Sequence, residues 1–126
     1  MSEIILKSAV PILFVRDVSA SAAFFREKLG FEIDFHHGTP PFYSSVSRGE
    51  ACLHLRCVHQ PNFSELAAQE VSLILAIVEV SDCQELFEEF KKRGVEFVQT
   101  PTKQSWGTDF HVRDLDGNVI SFVTYG

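Results

Sequence analysis

The sequence predicts an α+β fold in which two βαβββ modules build a curved mixed sheet. Three observations carry this. The order strand, helix, glycine, strand, hairpin occurs twice along the chain, and FREKLGFEIDF at residues 25–35 answers FKKRGVEFVQT at residues 90–100. Each half is too small to close a core alone, so the halves must pack together as one unit. A sheet covered by a helix on one face leaves the other face as a trough, the natural place for a ligand. The whole of residues 1–126 is then a single domain, with module one at about 4–60 and module two at about 71–126. Composition agrees: 45% hydrophobic and 22% charged residues are globular values.

The elements follow in order. Residues 4–16, rich in β-branched side chains, predict a strand interrupted at Pro11. A proline has no N–H for a ladder, so this segment is an edge strand or an arm that crosses to another module. Asp17-Val18-Ser19 signals a helix start, and the helix over Ala20–Leu29 stops at Gly30. Phe31–Phe35 returns as a strand, HHGTPP is a loop, and Tyr43–Arg48 pairs with Ala51–Val58 across Gly49-Glu50. Residues 59–70 form a polar connection with at most one helical turn, and Ser72–Val80 is the next strand. Ser81-Asp82-Cys83-Gln84 resembles a capping box. The helix it opens places Cys83, Leu86, Phe87 and Phe90 at i, i+3, i+4 and i+7 and ends at Gly94 after Lys91, Lys92 and Arg93. Val95–Val98 is a strand, residues 99–108 a loop, and Asp109–Arg113 pairs with Asn118–Tyr125 across Asp116-Gly117.

A net charge of −6, from 17 acidic and 11 basic residues, argues against a nucleic-acid or phosphate-binding surface and favours neutral or cationic ligands. Cys52, Cys57 and Cys83 cannot all pair and none lies in a CxxC, which fits thiols in a reducing cytoplasm. No basic leader and no run of about 20 apolar residues is present, so neither export nor a membrane is expected. GxSxG, Gly-rich phosphate loops and HExxH are absent. Cys52 and His54 sit two apart on one strand, a poor geometry for a nucleophile and its base, and Cys52 reads as a small apolar packer.

SAVPILFVRDVSASAAFFREKLGFEIDF at residues 8–35 resembles the opening of the glyoxalase/bleomycin resistance/dioxygenase (vicinal oxygen chelate) family, and QSWGTDFHVRDLDGNVISFV at residues 104–123 resembles the QPWG…F…RDP.GN..HF stretch of its bleomycin resistance members. The match is weakest over residues 36–72. The resemblance implies a homodimer with two clefts at or near the subunit boundary and an N-terminal arm, carrying Pro11, exchanged between copies. A strand-edge proline without a partner role stays open beside it.

Enzymes of that superfamily hold a divalent metal through His, Glu or Gln at four strand positions. The resemblance places these on Val10, His54, Leu75 (within one or two residues) and Ser121. One imidazole, two apolar side chains and a hydroxyl give too few donors, so no metal and no cofactor are expected. His36 and His37 fall in the expected loop and would point to opposite faces. Anchored on the same positions, strand alternation assigns Val10, Ile12, Phe14, Cys52, His54, Arg56, Leu75, Ile77, Glu79, Val119, Ser121 and Val123 to the trough, and Leu53, Leu55, Ile74, Ala76, Val78, Ile120 and Phe122 to the helix side. Trp106, in a polar loop beside Gly107, matches the tryptophan that stacks on the drug in bleomycin resistance proteins. Phe35, Phe42 and Tyr43 flank the HHGTPP loop as an opposing aromatic wall. Phe110 suits ligand contact and core packing equally. Glu32, Asp34 and Glu50 would add negative charge or be ordinary solvated residues. The expected function is metal-independent binding of a planar or cationic antibiotic-like molecule by sequestration, without catalysis. The ligand set is Trp106, His54, Phe35, Phe42, Phe110 and Ser121. The alternative is a metal-dependent glyoxalase- or dioxygenase-type enzyme.

Overall fold

The computed structural model describes residues 3–59, 66, 69–70 and 73–126. Its elements run β1 (Ile12–Val15), α1 (Val18–Leu29), β2 (Glu32–His37), β3 (Tyr43–Arg48), β4 (Ala51–Cys57), β5 (Ile74–Glu79), α2 (Cys83–Lys92), β6 (Phe97–Gln104), β7 (Gly107–Arg113) and β8 (Val119–Tyr125). The strands form two four-stranded sheets, ordered β1-β4-β3-β2 and β5-β8-β7-β6. In each sheet the first strand lies parallel to the last and the remaining pairs are antiparallel. The internal repeat is thus a repeat of topology. The polar connection expected over residues 59–70 falls largely outside the described residues.

Capping sets the helix boundaries. Asp17 accepts the backbone N–H of Ala20 at 3.0 Å, so α1 begins at Val18, two residues before the expected start. Gly30 closes it in the left-handed conformation at φ 73°. At α2 the cap is Asp82, which accepts Glu85 N–H at 3.0 Å, and not the expected Ser81. Extended backbone at Asp82 aims its carboxylate at the first turn.

Other boundaries differ from expectation as well. Residues 3–11 form no strand, and pairing starts only after Pro11, which cannot donate. β2 runs on through His36 and His37, because they pair with Ser44 and Tyr43 rather than loop out. β6 takes in most of the expected 99–108 loop, with register shifts after Phe97 and Gln99 absorbing Pro101.

Alternation fills the helix side. Leu13, Val15, Val46, Leu53 and Leu55 pack under α1, whose Ala22, Phe25 and Leu29 are fully buried. Under α2, Phe90 lies edge-on to Phe110 and Phe122, which stack on each other at 5.4 Å. Both sets belong to one hydrophobic cluster, so the modules share a core.

Polar clamps add to that junction. Arg48 makes a bidentate pair with Glu89 at 2.8 and 2.9 Å and also donates to the Leu29 carbonyl. The hydrogen bond between them raises the Arg48 pKa and lowers that of Glu89. Lys28 donates to the Arg93 carbonyl and Arg93 to the Glu27 carbonyl. At the other end the expected Asp116-Gly117 hairpin is a longer turn built around Asp114. This buried carboxylate accepts from Asp116 N, Asn118 N and Asn118 Nδ2 at 2.8–2.9 Å. Asn118 then donates to the Phe14 carbonyl in module one. Burial pushes the Asp114 carboxyl up despite these donors.

Candidate functional site

Residues two apart on a strand share a face, and the ladders align them across the first sheet. One row on the open face, away from α1, is Ile12–His54–Ser45–Phe35, and the next is Phe14–Arg56–Tyr43–His37. The register shift after Ile33 also turns Asp34 onto this face, where it accepts the hydroxyls of Ser45 at 2.9 Å and Ser47 at 2.7 Å. Asp34 therefore locks the β2–β3 pairing, and its carboxylate stands exposed on this face with two neutral hydroxyls as its partners. The rings beside it interlock. Phe35 lies 4.7 Å from His37 and 5.9 Å, edge-on, from His54. Tyr43 lies 5.3 Å from the His54 ring, with its hydroxyl 2.7 Å from His54 Nδ1. Phe35 and His54 thus come together on a wall that remains partly open: Phe35 is 38% exposed. Phe42 stands outside these rows, exposed over Gly38, where φ is 94° and an added Cβ would meet the Phe42 ring.

The second sheet carries a different open face. Its rows are Ile77–Ser121–His111–Gln99 and Glu79–Val123–Asp109–Thr102. Asp109, His111, Ser121 and Val123 are buried. Asp109 accepts Gln99 Nε2 at 2.7 Å and lies 3.6 Å from His111 Nε2. Asp109 did not stand out in the sequence, although its alternation with Phe110 marks it as the residue facing the trough. Phe110 itself is wholly buried on the helix side against Phe87, Phe90, Phe97 and Phe122. It belongs to the core and not to the ligand wall. Leu75 also departs from its expected face: a register shift between Ile74 and Ala76 lets Leu75 pack against the core and leaves Ile74 exposed beside Val119.

Trp106 occupies the β6–β7 turn and is 53% exposed. Its carbonyl accepts from Gly126 N at 3.1 Å. Gly107, at φ 150°, lets the backbone pass against Thr124, where any Cβ would collide with the carbonyl. Trp106 is therefore presented outward by a turn that only glycine closes. It rises from the second sheet and His54 from the first.

The donor set does not fit a divalent cation. Val10 and Leu75 carry no donor atom, His54 Nδ1 is engaged by Tyr43, and Ser121 offers only a buried neutral hydroxyl. Among the described residues no group of three or more His, Cys, Asp or Glu gathers into a metal site. A groove of about 980 Å³ opens between the modules, lined by Arg48, Glu79, Asp82, Glu85 and Glu89 among others. It is charged and floored by the intermodule clamp, so it does not match the aromatic wall. No helix among the described residues is long and apolar enough to cross a membrane.

Comparison with known proteins supplies the family. The model of the Glyoxalase/Bleomycin resistance protein/Dioxygenase superfamily matches residues 6–122. The uncharacterized protein YetH of Bacillus subtilis (strain 168) is 29% identical over 111 residues, covering 86% of this chain and 89% of YetH. The bleomycin resistance protein of Geobacillus stearothermophilus is 29% identical over 126 residues, covering 90% and 93% of the two chains. Among solved structures, the bleomycin-binding protein of Streptomyces verticillus complexed with copper(II)-bleomycin superposes with a TM-score of 0.77 at 28% identity, covering 98% of this chain and all of the other. With its duplicated βαβββ topology and a family match across nearly its whole length, the chain belongs to the glyoxalase/bleomycin resistance protein/dioxygenase superfamily.

Proposed function

We propose that this protein binds a planar or cationic antibiotic-like small molecule and acts by sequestration, with no bond made or broken. The observation that carries the reading is the interlocked ring wall of Phe35, His37, Tyr43 and His54 on an open sheet face, together with an outward tryptophan on the other module. Stacking on such rings is worth about 0.5–1.5 kcal/mol per pair beyond area burial. The relatives named above add support, since two of them are a bleomycin resistance protein and a bleomycin-binding protein.

The site takes a second copy to close. In one chain the ring wall of the first sheet is partly open, and that wall and Trp106 stand on different sheets. The arm at residues 3–10 is exposed, with Ile4 and Leu6 more than nine-tenths accessible, as an exchanged segment would be before it finds its partner. A homodimer that trades these arms would set module one of one copy against module two of the other and bring Trp106 over the Phe35–His54 wall.

Titration of the protein with bleomycin, followed by Trp106 fluorescence, tests the reading. Saturable quenching that is lost in Phe35→Ala, with the calorimetric affinity also lost in Trp106→Phe, supports it. No response to bleomycin or to a panel of planar antibiotics, or turnover of any of them, overturns it. Sedimentation of the intact chain against an Ile4→Asp/Leu6→Asp variant tests the dimer.

A further inference from the structure

We infer that His54 is a hydrogen-bond donor locked in one tautomer by Tyr43, so that the trough selects planar heteroaromatic ligands carrying an in-plane acceptor, a ring nitrogen or carbonyl oxygen. This rests on the binding reading above and narrows its ligand class.

A neutral phenol holds one proton and must give it to an acceptor or to water. Among the described residues the only polar partner of the Tyr43 hydroxyl is His54 Nδ1, at 2.7 Å, the usual length for an O–H donor. With the phenol donating, Nδ1 is the acceptor and the imidazole proton resides on Nε2. That nitrogen has no hydrogen-bond partner among the described residues and is not a buried orphan. It is therefore available on the open face.

Geometry then orients it. Tyr43 and Phe35 both meet the His54 ring edge-on, at 81° and 75°, and hold its plane from two sides. An N–H fixed beside the half-exposed Phe35 face offers stacking surface and one in-plane donor within the same subsite. A flat ring with an acceptor uses both, a flat hydrocarbon only the first. A compound with neither face nor acceptor gains nothing here. Tyr43 acts through His54 and is a positioning residue.

Two compounds of one shape separate these terms: quinoline, with a ring nitrogen, and naphthalene, without. Each is titrated into the intact protein at mildly alkaline pH, where quinoline is neutral, and followed by ¹H–¹⁵N chemical shifts. The expected result is that the quinoline-to-naphthalene affinity ratio falls about five-fold in His54→Phe, the value of one ordinary hydrogen bond, whatever the new ring does to the stacking that both compounds share. Histidine side-chain ¹⁵N spectra of the unmodified protein should show His54 protonated on Nε2 alone, and Tyr43→Phe should bring in an Nδ1-protonated fraction. An Nδ1-protonated His54 in the unmodified protein overturns the proposal without reference to any ligand. An unchanged ratio in His54→Phe, with both compounds bound, overturns the donor role and leaves sequestration standing. Binding of neither compound overturns this ligand class, and the bleomycin titration then decides whether sequestration falls with it.

Discussion

The row Ile12–His54–Ser45–Phe35 on the first sheet has its counterpart in Ile77–Ser121–His111–Gln99 on the second. In the first, rings stand half-open. In the second, Ser121 and His111 are buried, and His111 and the half-buried Gln99 amide lie beside the Asp109 carboxylate. The opposite faces of the same strands are alike: Leu53 and Leu55 under α1 do what Ile120 and Phe122 do under α2. A duplicated unit has to keep the face that packs on its own helix, because that burial pays for the fold. The open face carries no such debt, and the two copies diverged there. On the binding reading proposed above, recognition falls to the first sheet, while the second contributes Trp106 from a turn.

That contrast can be broken most severely from the core. Phe110→Ala should cost about 3–5 kcal/mol of unfolding free energy, measured by denaturant titration, and any loss of ligand affinity should follow the unfolded fraction. A full-strength fold with selective loss of binding would return Phe110 to the ligand wall.

Asp114→Asn should cost about 2 kcal/mol near neutrality, since one carboxylate oxygen there takes two backbone N–H groups and the other holds Asn118 toward module one. Its pH dependence has a definite sign. A carboxyl whose folded pKa is raised binds its proton more tightly in the native state. Its contribution is therefore most favourable below the ordinary aspartate range and is lost as pH rises through the raised value. The stability gap between the parent and Asp114→Asn should thus narrow from acid toward neutral pH. A widening gap would mean that its hydrogen bonds outweigh its burial.

Arg48→Met should cost about 1 kcal/mol, because the Arg48–Glu89 pair is partly exposed though bidentate. The loss should shrink in high salt. Gly107→Ala sharpens the contrast from the other side: with Thr124 in the way, the turn must shift, and ligand quenching of Trp106 should fall more than stability does.

The helix side was legible in the sequence, and the reason is physical. Burial against a helix imposes a period of two on each strand and 3.6 on the helix, and Phe87 and Phe90 obey it. Gly30 and Gly94 marked the helix ends because both adopt positive φ. Leu75 was misplaced since a register shift reverses facing without any residue type to announce it. The partners of Asp34, a ligand charge or a solvated residue in the sequence, and of Asp114 are not legible there, because carboxylates near strand ends and turns read as solvated until a bulge or turn folds donors around them. The Tyr43–His54 contact was within reach. Pairing Arg48 with Ala51 across the hairpin already sets Ser45 against His54 and Tyr43 on its diagonal.

The junction between modules has the character of a docking surface: Lys28 and Arg93 reach across to each other's helix ends, Arg48 grips Glu89, and Asn118 ties down Phe14. These bonds are noncovalent, and none of them uses a residue between 58 and 73. Severed within residues 58–73, the two fragments should reassociate when mixed. A chain whose halves recognise each other in this way can, by the same contacts, accept the half of a neighbour.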